Sequence, residues 1–99
     1  MWFLVRVSGR SMLPTLSPGD TLLVRRGRDR AAAARLALVD LGGGRPMAVK
    51  RLVDRQDDGW WVERDNPAEG VDSWLVGILP DDAVRGVVLA RVWPRPRRL

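Results

Sequence analysis

The chain contains no cysteine, no histidine and no tyrosine, and it has a single lysine. Without cysteine there can be no disulfide staple, no thiolate nucleophile and none of the common Cys-based zinc sites. Without histidine, Ser-His-Asp and Cys-His catalysis are excluded, together with most transition-metal sites. Any hydrolytic chemistry must draw on Ser, Thr, Asp, Glu or Lys. Long apolar runs are missing as well. The opening Met1-Trp2-Phe3-Leu4-Val5 falls far short of the ~20 residues of a spanning helix, and it lacks the basic start and apolar centre of a signal peptide. The sequence therefore reads as that of a soluble, cytoplasmic protein with no membrane span.

What is present is a 99-residue chain with 45% hydrophobic residues, enough for one folded domain and too short for a second. We read residues 1–94 as that domain and 95–99 as a basic C-terminal tail that frays. The net charge is +5, carried by sixteen arginines and Lys50. The basic residues are diffuse and interspersed with twelve acids, and the densest runs are Arg25-Arg26-Gly27-Arg28-Asp29-Arg30 and the tail. With no aromatic interleaving and no recognition helix, nucleic acid is not an expected partner. The lone lysine has two readings. It is a chance survivor of a bias toward arginine, or it has a task arginine cannot perform, because a lysine can lose its proton and act as a base whereas arginine stays charged.

The hydrophobic pattern is mostly that of strands. Trp2 to Ser8 is extended, and Gly9 to Asp20 is a loop rich in Gly and Pro. Thr21–Val24 and Leu36–Leu41 are short strands. The Ala31–Ala34 run between them favours one helical turn, since alanine is the best helix former. Met47–Val53, the polar Arg55–Gly59 and Trp60-Trp61-Val62 form the clearest hairpin. A long loop runs from Asp65-Asn66-Pro67 to Val76, a turn is expected at Asp81–Val84, and Arg85–Val92 is the last strand. Short strands separated by Gly/Pro turns indicate an all-β fold, a small, partly open, barrel-like sheet.

Two segments carry chemistry. In Gly9-Arg10-Ser11-Met12-Leu13-Pro14 a strand runs into a glycine, which admits close backbone approach, and then into a serine. Such a loop can offer a hydroxyl and amide groups to one carbonyl, as acyl transfer requires. Taken alone, Ser11 reads first as a polar turn residue in a Gly/Pro loop. In Ala48-Val49-Lys50-Arg51-Leu52 strand alternation puts Lys50 on one face with Ala48 and Leu52. An ammonium among apolar groups loses pKa and can serve as a base for Ser11; the alternative is a lysine that snorkels to water.

Together these residues resemble the type I signal peptidases. Gly9-x-Ser11-Met12-x-Pro14-Thr15-Leu16 is similar to their nucleophile box, Gly19-Asp20 to the box that follows, and Val49-Lys50-Arg51 to the general-base strand. Asp65-Asn66, Asp72-Ser73 and Gly77 are similar to the last box, and the order is the same. The resemblance implies the fold of the signal peptidase catalytic core and a serine endopeptidase with Ser11 as nucleophile and Lys50 as base. It also implies an oxyanion hole built partly from the Ser11 amide, with Gly9 leaving out a side-chain donor, and a supporting charge cluster of Arg51, Asp65 and Asp72 next to Ser73. No metal or other cofactor is implied. Three positions depart from the pattern: Gly70 stands where many members have a serine that orients the lysine, Trp74 where arginine is usual, and Arg64 in place of the glycine before Asp65-Asn66.

Among such peptidases, the sequence most resembles the short soluble maturation proteases of nickel-type superoxide dismutase, which implies a precursor polypeptide as substrate and removal of its N-terminal extension. Two peptidase alternatives stand beside this reading. One is a self-cleaving repressor-type domain, from which we expect a DNA-binding domain and a scissile segment ahead of the serine. The other is a general signal peptidase without its anchor. A non-enzymatic, arginine-rich β module that binds a partner is the third.

Overall fold

The computed structural model describes all residues 1–99. Its strands are β1 (Trp2–Arg6), β2 (Thr21–Arg26), β3 (Leu36–Val39), β4 (Ala48–Gln56), β5 (Gly59–Glu63), β6 (Leu79–Pro80), β7 (Val84–Trp93) and β8 (Arg97–Arg98). One helical turn, α1 (Ser73–Val76), precedes β6, and a 3₁₀ turn at Asp81–Ala83 precedes β7. All pairings are antiparallel, in the order β1-β2-β7-β3-β4-β5-β6, with β8 added to β7. The register shifts between Thr21 and Leu22, between Leu23 and Val24, between Leu38 and Val39, and between Leu52 and Asp54. Each irregularity adds local bend and twist, and the sheet curls into an open half-barrel whose free edges are β1 and β6. The expected all-β fold is the one observed. No helix is long and apolar enough to cross a membrane.

β3 explains how so small a sheet has two cores. Its four residues, Leu-Ala-Leu-Val, are all buried, as befits a strand covered on both faces. Leu36 and Leu38 join Leu22, Val24, Val49 and Val88 in one cluster. Ala37 and Val39 join Leu52, Trp60, Val62 and Leu79 in the other. The first cluster is completed from outside the sheet by Met12 and Leu16, 2% and 0% exposed, which belong to the loop after β1. Each such side chain contributes about 1.5–3 kcal/mol on burial, so the loop carrying Ser11 is anchored by the core.

Four local expectations are corrected. Ala31–Ala34 forms no helical turn: Ala34 has φ +75° and its N–H donates to the Leu52 carbonyl at 2.8 Å, so a tertiary bond overrides alanine's weak preference. β4 continues through Arg55 and Gln56, leaving Asp57 and Asp58 to make the turn. The long loop contains α1, whose start is capped by the Asp72 carboxylate accepting from the Trp74 N–H at 3.0 Å. The tail does not fray. Arg97 and Arg98 pair with Arg91 and Ala90, and the Leu99 N–H donates to the Leu89 carbonyl at 3.0 Å while its side chain packs on the first core.

The β5–β6 approach leaves no room for a side chain at Gly59, where a Cβ would lie 2.2 Å from the Leu79 carbonyl oxygen. Gly59→Ala is expected to destabilise the fold by about 1–3 kcal/mol through this overpacking, read as a lower urea midpoint at unchanged m-value.

Candidate active site

β1 delivers the chain into the nucleophile loop. The Val7 N–H still pairs with the Asp20 carbonyl at 2.8 Å, and the chain then turns at Gly9, with φ +77°, a conformation glycine adopts without strain. Successive turns follow, with the Leu13 N–H donating to the Arg10 carbonyl at 3.2 Å and the Leu16 N–H to the Met12 carbonyl at 2.9 Å. Met12 and Leu16 are driven into the core, and their burial leaves Ser11 facing β4.

Lys50 lies on β4 opposite Ala37 of β3. It is 2% exposed, and its Nζ donates to Ser11 Oγ at 2.7 Å across 39 positions of sequence. Burial lowers its pKa because the charged form loses water. The Asp72 carboxylate works in the opposite direction, the Arg64 guanidinium lowers it further, and the net result is below the ordinary lysine value. When the amine is neutral, its lone pair can accept the Ser11 proton over the same contact.

The segment from Arg64 to Asp72 closes the other side. The Asn66 N–H donates to the Ser11 carbonyl at 2.8 Å, the Asn66 amide to the Arg10 carbonyl at 2.9 Å, and the Asp65 N–H to Met12 Sδ at 3.4 Å. Gly70 has φ +111°, and a Cβ built on it would fall 2.5 Å from Ser11 Cβ and 3.5 Å from Lys50 Nζ. The place expected to hold a lysine-orienting serine is therefore occupied by bare backbone that comes too close for any side chain.

The expected three-member charge cluster is two separate pairs. Arg51 grips Asp65 through Nε at 2.9 Å and a terminal nitrogen at 2.6 Å, and the Thr15 hydroxyl donates to the same carboxylate at 2.6 Å. This ties β4 to the nucleophile loop. Asp72, 2% exposed, pairs with Arg64 at 3.0 Å instead of Arg51. Ser73 is buried and its Oγ accepts the Val62 N–H at 2.8 Å, so it fastens α1 to β5. Trp74 stands exposed, edge-on to Trp61 with ring centroids 5.2 Å apart. Pro14 lines a surface hollow with Thr15 and Arg97. The roles of Asn66 and Thr15 as ties to the nucleophile loop were not read from the sequence, although both lie within segments that resemble the family boxes.

A cavity of about 170 Å³ opens beside Ser11, walled mainly by Val5, Val7, Met12, Leu38, Met47 and Val49, with Arg6 and Ser8 at its lining as well. It runs between β1 and the start of β4. No group of three or more acidic side chains is placed to hold a metal ion.

A family model described as Peptidase S24-like matches residues 1–78, a span that includes Ser11, Lys50, Asp65 and Asp72. No curated protein matches the chain.

Burial raises the Asp65 pKa, but the hydrogen bonds from Arg51 and Thr15, with the charge of Arg51, outweigh it and hold the carboxyl below the usual range. A folded-state pKa below the unfolded value of about 3.9 gives stability that is present above that pH and lost as pH falls through the folded value. Asp65→Asn is expected to cost about 1–2 kcal/mol at pH 7, as the loss of a partly exposed charged hydrogen bond does, and to lose less than wild type between pH 7 and pH 3. Urea unfolding of both proteins at the two pH values reads the difference.

Proposed function

The chain belongs to the Peptidase S24-like family, and from that premise we propose an endopeptidase in which Ser11 attacks and Lys50 is the general base, acting on an extended polypeptide with a short apolar side chain next to the scissile bond. The carrying observation is the 2.7 Å contact between Lys50 Nζ and Ser11 Oγ on a lysine that is 2% exposed. This distance is within the range proton transfer needs, and the burial keeps the amine from holding its proton at its ordinary pKa.

The reaction follows from these positions. Neutral Lys50 takes the Ser11 proton as Oγ bonds to the substrate carbonyl carbon. The Ser11 N–H has no acceptor within the chain and is free to donate to the oxyanion that forms. The Lys50 ammonium returns the proton to the departing amine as the C–N bond breaks, leaving an acyl ester on Ser11. Lys50, neutral again, deprotonates a water that attacks the ester and restores the serine.

The free edge of β1 offers unpaired backbone groups to an extended substrate, which can add as a strand with alternate side chains directed into pockets. The cavity beside Ser11 has room for a short side chain, and its wall is mostly apolar, with Val5, Val7, Met12 and Met47 outnumbering the polar Arg6 and Ser8. Among finer readings, membership of the S24-like family favours a repressor-type peptidase domain, or a general signal peptidase without an anchor, over a nickel-type superoxide dismutase maturation protease. A superoxide dismutase precursor stays a proposed substrate on the likeness of the sequence boxes alone.

Incubation with a library of proteome-derived peptides, with the new termini read by mass spectrometry, tests the reading and exposes the preference beside the cut. Ser11→Ala and Lys50→Arg are both expected to lose at least about 100-fold in kcat/KM while remaining folded, because guanidinium does not deprotonate at working pH. Near-wild-type cleavage by a folded Lys50→Arg protein would overturn the assignment of the base. Wild-type kcat/KM is expected to rise with pH along one ionisation whose midpoint lies below the ordinary lysine value of about 10.4. The sign follows from the neutral amine being the active form; a flat profile from mildly acidic to alkaline pH contradicts it.

A further inference from the structure

Arg64 was singled out above as a departure, standing where the resembling peptidases have glycine. Its side chain is one of the most engaged in the molecule. One terminal nitrogen pairs with Asp72 Oδ2 at 3.0 Å, the other donates to the Pro67 carbonyl at 3.0 Å, and Nε donates to the Asn66 carbonyl at 3.1 Å. Its backbone N–H also donates to Asp72 Oδ2 at 3.0 Å. The side chain is only 24% exposed, and its Cδ lies 3.5 Å from the position a Cβ would take on Gly70. All three guanidinium nitrogens are spent on one segment, residues 66–72, the segment whose Gly70 backbone covers Ser11 and Lys50.

We propose that Arg64 is a positioning residue for the dyad: it brackets the 66–72 segment over Ser11 and Lys50, and its charge occupies the buried Asp72 carboxylate that would otherwise hold Lys50 as an ammonium. The two halves of this role come from one planar fork. Arginine can meet a carboxylate and two carbonyls at once, which a point-charge ammonium or a glycine cannot do. Asp72 also caps α1, so the turn fixes an acceptor at this position. Pairing it with Arg64 keeps the cap and offsets part of its field at the lysine.

The groups facing Lys50 make this a local balance. From the segment after β5 they are Arg64 and Asp72, and from the nucleophile loop the Ser11 hydroxyl. On β4 itself, Arg51 is held by Asp65, and farther out Arg10 pairs with Glu69 at 3.3 Å. Gly70 joins the two sides, since a Cβ there would lie 3.5 Å from both Arg64 Cδ and Lys50 Nζ; across it the Asp72 charge favours the ammonium and the Arg64 charge the neutral amine.

The inference rests on the Ser11–Lys50 reading of the site, but its test does not need activity. Lys50 is the only lysine in the chain, so protein labelled with ¹³C-lysine gives a single lysine side-chain signal, and its ¹³Cε shift can be followed against pH. Arg64→Gln keeps amide donors for the carbonyls and removes the charge. It is expected to move the Lys50 midpoint up by at least about 0.5 pH unit, a roughly threefold change in proton affinity. The double variant Arg64→Gln/Asp72→Asn removes both charges and is expected to return the midpoint to the wild-type value or below. It also leaves no unpaired buried carboxylate, so it serves if the single variant fails to fold: a midpoint above wild type in the double variant contradicts the proposal. An unchanged midpoint in Arg64→Gln overturns the inference whatever happens to the rate. In cleavage assays the pH profile of Arg64→Gln should shift in the same direction as the NMR midpoint. If no variant, wild type included, cleaves any peptide while the NMR shifts appear as described, the peptidase reading falls and the positioning of Lys50 by Arg64 stands.

Discussion

An amine with its nitrogen 2.7 Å from a serine hydroxyl, on a side chain that is 2% exposed, is costly to keep in its charged form. Much of this small protein is arranged around that constraint. The core must hold Met12 and Leu16 so that Ser11 stays over β4. β3 must supply small Ala37 opposite Lys50, and the Arg64–Asp72 segment must shut out water without adding a side chain of its own, which is why Gly70 is bare backbone.

The two acidic residues of the last box solve different problems. Asp65, bound by Arg51 and Thr15, is a mechanical tie between β4 and the nucleophile loop. Asp72 caps α1 and pairs with Arg64, whose Cδ and Lys50 Nζ both border Gly70. Separating them into two pairs gives Arg51 to Asp65 and Arg64 to Asp72.

How much of this was legible beforehand varies by element. Strand alternation and Gly/Pro punctuation located most strands of an all-β sheet, because period-two burial is written directly into residue order. Exclusion did much for the site. With no Cys and no His, a serine nucleophile had a lysine as its best base, and only one lysine exists. Where local propensity competed with tertiary bonds, it lost. Ala34 left the helical region to reach the Leu52 carbonyl, and the basic tail, which looked free in the sequence, became strand β8 because β7 had an edge to offer.

Residue order by itself determined which groups can do chemistry here, and where strands and turns fall, since both depend on composition and short-range spacing. The tertiary structure alone decided which charge faces which. Arg51 and Arg64 are equivalent as letters, and either can satisfy a carboxylate. The pairing is set by the 3.0 Å approach of Asp72 to a residue eight positions earlier, once β5 has turned back along β4. Electrostatic partners at the dyad depend on distances created by sheet closure, and those do not exist until the chain has folded.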